Sequence, residues 1–324
     1  MTAPGACLSY GPVPSRRLGK SLGINNIPPK VCTYSCAYCQ AGRTTRLEHD
    51  RRPFYDPDRI ARDVQTRLAK AREASTRVDY LAFVPDGEPT LDSNLGKEIA
   101  RVNGWEVPVA VITNGSLLWR EDVRNDLSKA AWVSVKVDAV RDTTWRQVNR
   151  PHGAARLSAI LDGILAFAER FTGTLVTETM LVRGLNDGDA SMRAVADFLD
   201  RVQPARAYLS IPTRPPAETT VRGPDAATLN RAYQVLAERI TRVEYLIGYE
   251  GDDFASTGDI EKDILGITAV HPMREDAVRA LLARTGSSWE VVDRLCARGD
   301  LARAKHEGYV FLVRNFAGAP EAAT

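Results

Sequence analysis

"WVSVKVDA", Trp132 to Ala139, is the stretch whose reading decides the fold. Side chains of a strand alternate between its faces, so Val133, Val135 and Val137 share one side while Trp132, Ser134, Lys136 and Asp138 share the other. A central strand of a parallel sheet ordinarily has two apolar faces. Here one face is polar and ends in a charged pair, which reads as the lining of a solvated or ligand-filled cavity. The plainer alternative is an edge strand with Lys136 and Asp138 in water. "TLVTETMLV" (174–182) repeats the pattern and carries Glu178 inside an apolar run. A barrel lumen explains both strands.

Further strand candidates are 21–27, 78–84, 107–113 and 206–211, and helical periodicity fills the gaps between them. Asp56-Pro57 is a cap followed by a first-turn proline, opening a helix that buries Ile60, Val64 and Leu68. Leu157, Ile160, Leu161, Ile164 and Leu165 form one buried stripe, and Val195, Phe198, Leu199 and Val202 another. Repeated strand–helix units imply a parallel sheet covered by helices. About six of them with a polar inner face predict an α/β fold, a partial (βα)6 barrel over residues 1–215.

The texture then changes. "IPTRPPAETTVRGPD" (211–225) reads as a linker, and a connection over 216–259 includes a helix near 226–240. Residues 260–324 read as a winged-helix-like domain. It has two short helices, the second opened by a Ser287/Glu290 capping box, and a hairpin turning at Glu307-Gly308.

The 324 residues are 44% hydrophobic and 26% charged, the composition of a globular protein with a full core. A formal charge of +2 gives no overall footprint for nucleic acid or a membrane. No apolar run reaches the roughly 18 residues needed to span a bilayer, and the first residues lack the layout of a secretory signal. The expectation is a cytoplasmic protein with no membrane partner.

Of five cysteines, Cys32, Cys36 and Cys39 fall in "VCTYSCAYCQ" (31–40) with the spacing C-x3-C-x2-C. An odd, clustered count argues for metal ligation or catalysis rather than a disulfide framework. Structural zinc wants four ligands, and a fourth would have to come from a distant residue such as Cys7 or His49. An iron–sulfur cluster held by three thiolates would instead leave one iron open to a substrate or cofactor. Both readings stand on the spacing alone.

"CTYSCAYC", with Tyr38 before the last cysteine, resembles the cluster loop of the radical S-adenosylmethionine (radical SAM) superfamily. The resemblance implies a 4Fe–4S cluster on Cys32, Cys36 and Cys39 with S-adenosylmethionine on the open iron. Reductive cleavage of that cofactor to a 5′-deoxyadenosyl radical would then modify an RNA base, a protein or a metabolite. "DGEPTL" (86–91) is similar to the superfamily's glycine–glutamate motif, which assigns Gly87 and Glu88 to the cofactor's amino group, although Asp86 stands where many members have glycine. "ITNGS" (112–116) and "VKVDA" (135–139) resemble the strand ends that meet its ribose and carboxylate, which assigns Asn114, Lys136 and Asp138. A reducing partner such as flavodoxin or ferredoxin is implied as well.

"YGPVPSRRLGKSLGIN", "IPTRPPAE" and "DILGITAVHPMREDAV" extend the resemblance to a group of largely uncharacterised radical SAM proteins akin to the enzyme that builds the tricyclic wyosine base of tRNA. Wyosine enzymes carry a second cluster on upstream cysteines, where this chain offers only Cys7. Arg16 and Arg17 would meet an anionic substrate or brace the barrel mouth. Every residue assigned to cluster and cofactor precedes position 140, so the tail is expected to be dispensable for cofactor chemistry. The competing class is a non-catalytic, zinc-stabilised nucleic-acid-binding protein.

Overall fold

In the computed structural model, which describes residues 8–315, the alternating strands join one eight-stranded sheet. It begins with β1 (Ser9–Ser15) and β2 (Gly19–Ile24), followed by two-residue strands β3 (Val31–Cys32) and β4 (Arg46–Leu47). Next come α1 (Pro57–Glu73), β5 (Tyr80–Phe83), a 3-10 turn (Pro89–Leu91), α2 (Leu95–Val102), β6 (Val109–Thr113) and α3 (Glu121–Leu127). After β7 (Trp132–Lys136) the chain makes α4 (Asp142–Asn149), α5 (Leu157–Ala168), β8 (Thr174–Met180) and α6 (Asp189–Val202). The unit ends with β9 (Arg206–Ser210), α7 (Ala226–Ala237) and β10 (Val243–Leu246).

The strand order is β1-β2-β5-β6-β7-β8-β9-β10. All ladders from β2 to β10 are parallel, and only β1 runs antiparallel, at the edge. β7 lies between β6 and β8, so the edge-strand alternative for "WVSVKVDA" is excluded. Two strands of this sheet escaped the sequence reading. β1 contains Pro12 and Pro14, which lack the amide proton of a ladder and are tolerated at an edge. β10 is short and exposes Glu244 and Tyr245.

The two faces of the sheet differ as the alternation requires. Val133, Val135, Val109, Val111 and Leu175 pack with helix residues in the main core, which includes Ile60, Val64 and Leu68 of α1. Asp56 caps α1 by accepting from the Asp58 amide at 3.0 Å. Each fully buried Leu, Ile or Val there contributes about 1.5–3 kcal/mol. On the inner face, Leu18, Ala82, Ala110, Trp132, Val176, Tyr208 and Leu246 form an apolar floor. Above it, toward the C-terminal strand ends, the same face turns polar.

Beyond β10 lie α8 (Ile260–Val270), β11 (Met273–Arg274), α9 (Glu275–Arg284), α10 (Glu290–Ala297), β12 (Leu301–His306) and β13 (Tyr309–Arg314). That is three helices where the sequence suggested two, because α8 opens on the capping aspartate Asp259. The Ser287/Glu290 box does not form. Trp289 occupies the cap without a side-chain bond, and Ser287 instead accepts from Thr285. Glu307 and Gly308 turn the hairpin with φ of 45° and 83°. This unit shares its core with the sheet's edge, since Tyr10 and Val13 pack with Ile264, Ile267 and Leu281. Nor does 211–225 hang free. The Glu218 amide donates to Ala37, and the Glu218 carboxylate accepts from Arg43 and Arg150, strapping the segment across the cysteine loop.

Candidate active site

The strand ends and the cysteine loop enclose a cavity of about 240 Å³. Val84, Ile112, Lys136, Met180, Ser210 and Leu246 enter it from the ends of the strands. Cys32, Cys36 and Cys39 all line it and carry free thiols. Backbone bonds lace their loop to the end of α4: Ser35 donates to Arg150, Ala37 to Val148, and His152 to Thr33. On the other side the Glu88 amide donates to Val31. Gly87 sits at φ 153°, and a Cβ there would lie 2.0 Å from the Val31 carbonyl oxygen. Only glycine permits that approach.

Two asparagines address the sulfurs. Asn114 Nδ2 lies 3.6 Å from Cys32 Sγ and donates to Thr33 Oγ1 at 2.8 Å, while Asn149 Nδ2 lies 3.5 Å from Cys36 Sγ. Burial pushes all three thiols up, Cys36 to about 12, so they are neutral in the absence of a metal. An iron–sulfur cluster bound there would hold them as thiolates. The donor set fits an iron–sulfur cluster, with three sulfurs on one wall and outer N–H donors of the kind that tune such ligands.

Among the described residues, no three Cys, His, Asp or Glu side chains converge closely enough to hold a single metal ion. His49 packs against Trp119 and His152, with ring centroids at 5.9 and 5.6 Å, and Cys7 lies outside the described residues. The zinc alternative therefore has no support.

Of the residues assigned from sequence, the cavity gathers the three cysteines, Tyr38, Gly87 and Lys136. Lys136 and Glu178 are register partners on neighbouring strands and pair at 3.0 Å, with the ammonium 4.9 Å from the Tyr38 ring centroid. Glu178 also pairs with Arg17 and accepts from Ser210 at 3.0 Å. Burial alone would raise the Glu178 carboxyl, but Arg17 and Lys136 hold it well below the usual carboxylate range. Burial would lower Lys136, and Glu178 with Asp138 outweighs it, so the ammonium stays charged.

Glu88 and Asp138 both have partners within the protein. The Glu88 carboxylate is buried and spoken for: it accepts from Thr90 N and Oγ1, Thr113 Oγ1 and Asn114 N at 2.6–3.1 Å. It ties the loops after β5 and β6 together. β7 ends at Lys136, but Val137 still packs in the main core with Val133 and Val135, and Asp138 turns to the opposite side, toward Tyr38. Asp138 is buried, accepts from Tyr38 Oη, from Asn149 at 2.7 Å and from the Met180 amide at 2.8 Å, and does not line the cavity. Asn114 faces Cys32 and, with Asp138 and Lys136, lines a small adjoining pocket.

Sequence reasoning missed Asn149, Gln40, Arg214, Glu250 and Val270. Asn149 had no detectable signal. Arg214 lies inside the quoted "IPTRPPAE", where its proline context suggested a linker. The Arg16–Leu18 turn between β1 and β2 brings both arginines to the cavity. Glu250 accepts from Arg16 Nε at 3.3 Å and from Arg214, whose Nη1 donates to Gln40 at 2.6 Å. Burial opposes it, yet Arg214 and Arg16 bring the Glu250 carboxyl down to about 2. His271 lies 3.1 Å from Arg214, and burial with that cation lowers it to about 3, leaving it neutral. Val270 lines the cavity and accepts from Gln40 at 3.1 Å, so the tail supplies part of the wall.

The radical SAM superfamily profile matches residues 26–196, more than half the chain. A UPF0026 protein of Methanocaldococcus jannaschii is 42% identical over 310 residues, covering 95% of this chain and 96% of that one. The chain belongs to the radical SAM superfamily. Members of the superfamily bind a 4Fe–4S cluster and S-adenosylmethionine. The fold is shared with a radical SAM methyltransferase of Sphaerobacter thermophilus, at TM-score 0.51 and 18% identity over 70% of this chain and 67% of that one. A structure of TYW1 with a lysine–pyruvate adduct bound is also among the neighbours, at TM-score 0.46 and 13% identity, covering 91% and 80%. No helix among the described residues is long and apolar enough to cross a membrane.

Proposed function

We propose that this chain is a radical SAM enzyme that holds a 4Fe–4S cluster on Cys32, Cys36 and Cys39 and reductively cleaves S-adenosylmethionine in the cavity beside it. The observation that carries the reading is the convergence of three thiols, two sulfur-facing asparagines and a charged strand pair on one cavity. When bound, the cluster and cofactor supply one-electron cleavage of a sulfonium to a carbon radical. The protein supplies position and charge. Lys136 offers an ammonium to the cofactor's carboxylate, and Glu178 keeps that ammonium charged and aimed. Tyr38, fixed by Asp138 and Asn149, walls the cysteine loop. Glu88 shapes the loop after β5 so that backbone groups near Gly87 face the amino group.

The electron would come from a flavodoxin- or ferredoxin-type donor, and the product would be a modified RNA base, protein or metabolite. The order helix–strand–helix–helix–hairpin after residue 260 supports a winged-helix-like reading of the tail. Its basic side chains are largely matched, Arg294 and Arg298 by Glu261 and Arg303 by Asp293, which favours packing over phosphate binding.

Protein prepared without oxygen should contain about four irons per chain and change its visible spectrum on adding S-adenosylmethionine. Cys36→Ala should lose both. Stoichiometric zinc without iron would sink the reading.

A further inference from the structure

The cavity is lined by five cations, Arg16, Arg17, Lys30, Lys136 and Arg214, and three carboxylates, Asp86, Glu178 and Glu250. Five less three leaves two positive charges in excess, with His271 neutral beside them. Lys30 is matched one to one by Asp86 at 3.1 Å. The excess therefore divides between Glu178, shared by Arg17 and Lys136, and Glu250, shared by Arg16 and Arg214. The proposed cofactor carboxylate accounts for the first. Nothing proposed so far accounts for the second.

Arg16 is under-used there. It engages Glu250 through Nε alone, and its Nη1 is buried with no hydrogen-bond partner among the described residues. A buried donor left unpaired is costly, and a guanidinium fork suits two oxygens of one anion. Arg214 is held at the cysteine loop by Gln40, the residue after Cys39.

We propose that Arg16 and Arg214 form the binding site for an anionic group of the substrate, a carboxylate or a phosphate, and that Glu250 bridges the two guanidiniums until that group arrives. The word substrate rests on the radical SAM reading; the anion site does not. Incoming oxygens take the open Arg16 nitrogen and displace the Glu250 carboxylate from at least one arginine. Because Glu250 competes with the ligand, its removal has the opposite effect to removal of the arginines.

The test is calorimetric titration of cluster-loaded, full-length protein at low ionic strength with inorganic phosphate and, separately, succinate. S-adenosylmethionine is titrated into the same samples. Saturable binding of one probe names the source of the anion. Arg16→Gln with Arg214→Gln should weaken binding about tenfold or more, one or two charge-assisted hydrogen bonds being lost. Glu250→Gln should tighten it several-fold, a gain that no misfolded variant can mimic. Saturable binding of neither probe, or a folded Glu250→Gln protein that binds no tighter, overturns the site. Anion binding without cofactor binding would leave the site standing and remove the enzyme reading instead.

Discussion

Glu178 and Glu250 do the same electrostatic work on one cavity, each bridging two cations, but from different scaffolds. Glu178 stands on β8, register-paired with Lys136 on β7 and braced by Ser210 on β9. Its position is fixed by two ladders. Glu250 lies in irregular chain after β10, and its partners come from the β1–β2 turn, the strap after β9 and the end of α8. A ladder-borne charge is rigid. One assembled from loops can change partners, which is what a ligand-exchanging site requires.

The sharpest way to break this comparison is to neutralise each acid in turn. Glu178→Gln leaves Arg17 and Lys136 buried together and should cost about 3–5 kcal/mol of unfolding free energy, read from denaturant midpoints. Glu250→Gln should cost clearly less, because its loops can relax. An equal or larger loss for Glu250→Gln would show that the two scaffolds are equally rigid. Both carboxyls are held below their ordinary value. Their stabilisation is therefore complete above the unfolded carboxylate pKa of 4.5 and is lost as the pH falls toward the folded value, about 2 for Glu250. Either variant should flatten acid unfolding in that window.

A third acid sharpens the contrast by lacking a cation. Glu98 on α2 is buried, with the Asn26 amide and the Asp92 carboxyl beside it rather than a cation. Burial, with Asp92 adding to it, pushes its carboxyl well up. Here the sign reverses. The folded state favours the protonated form, so stability is full below the ordinary carboxylate pKa and declines as the pH rises toward the raised folded value. Glu98→Gln should gain roughly 1 kcal/mol at pH 8 and nothing at pH 4. A loss at pH 8 would mean that the Asn26 amide outweighs burial and Asp92 in holding the carboxylate.

The same comparison explains what was legible in the sequence. Period-2 alternation places Lys136 and Glu178 on an inner face, because ladders enforce it. What alternation could not show is the partner set: Asp138, past the end of β7, is taken up by Tyr38, Asn149 and the Met180 amide. The spacing of the cysteines was local and therefore readable. The cluster around Glu250 joins residues more than 200 positions apart, from Arg16 to His271, and no local pattern encodes that convergence. Val270 at the cavity, with His271 beside Arg214 and Glu250, gives the tail a part in the site's wall.

The most direct measurement is product formation from S-adenosylmethionine by anaerobic, iron-loaded protein given dithionite. The account predicts reductant-dependent 5′-deoxyadenosine and methionine in equal amounts, absent in Cys36→Ala. Protein that holds its cluster and binds the cofactor, yet yields no 5′-deoxyadenosine with dithionite or with a flavodoxin donor, would contradict it.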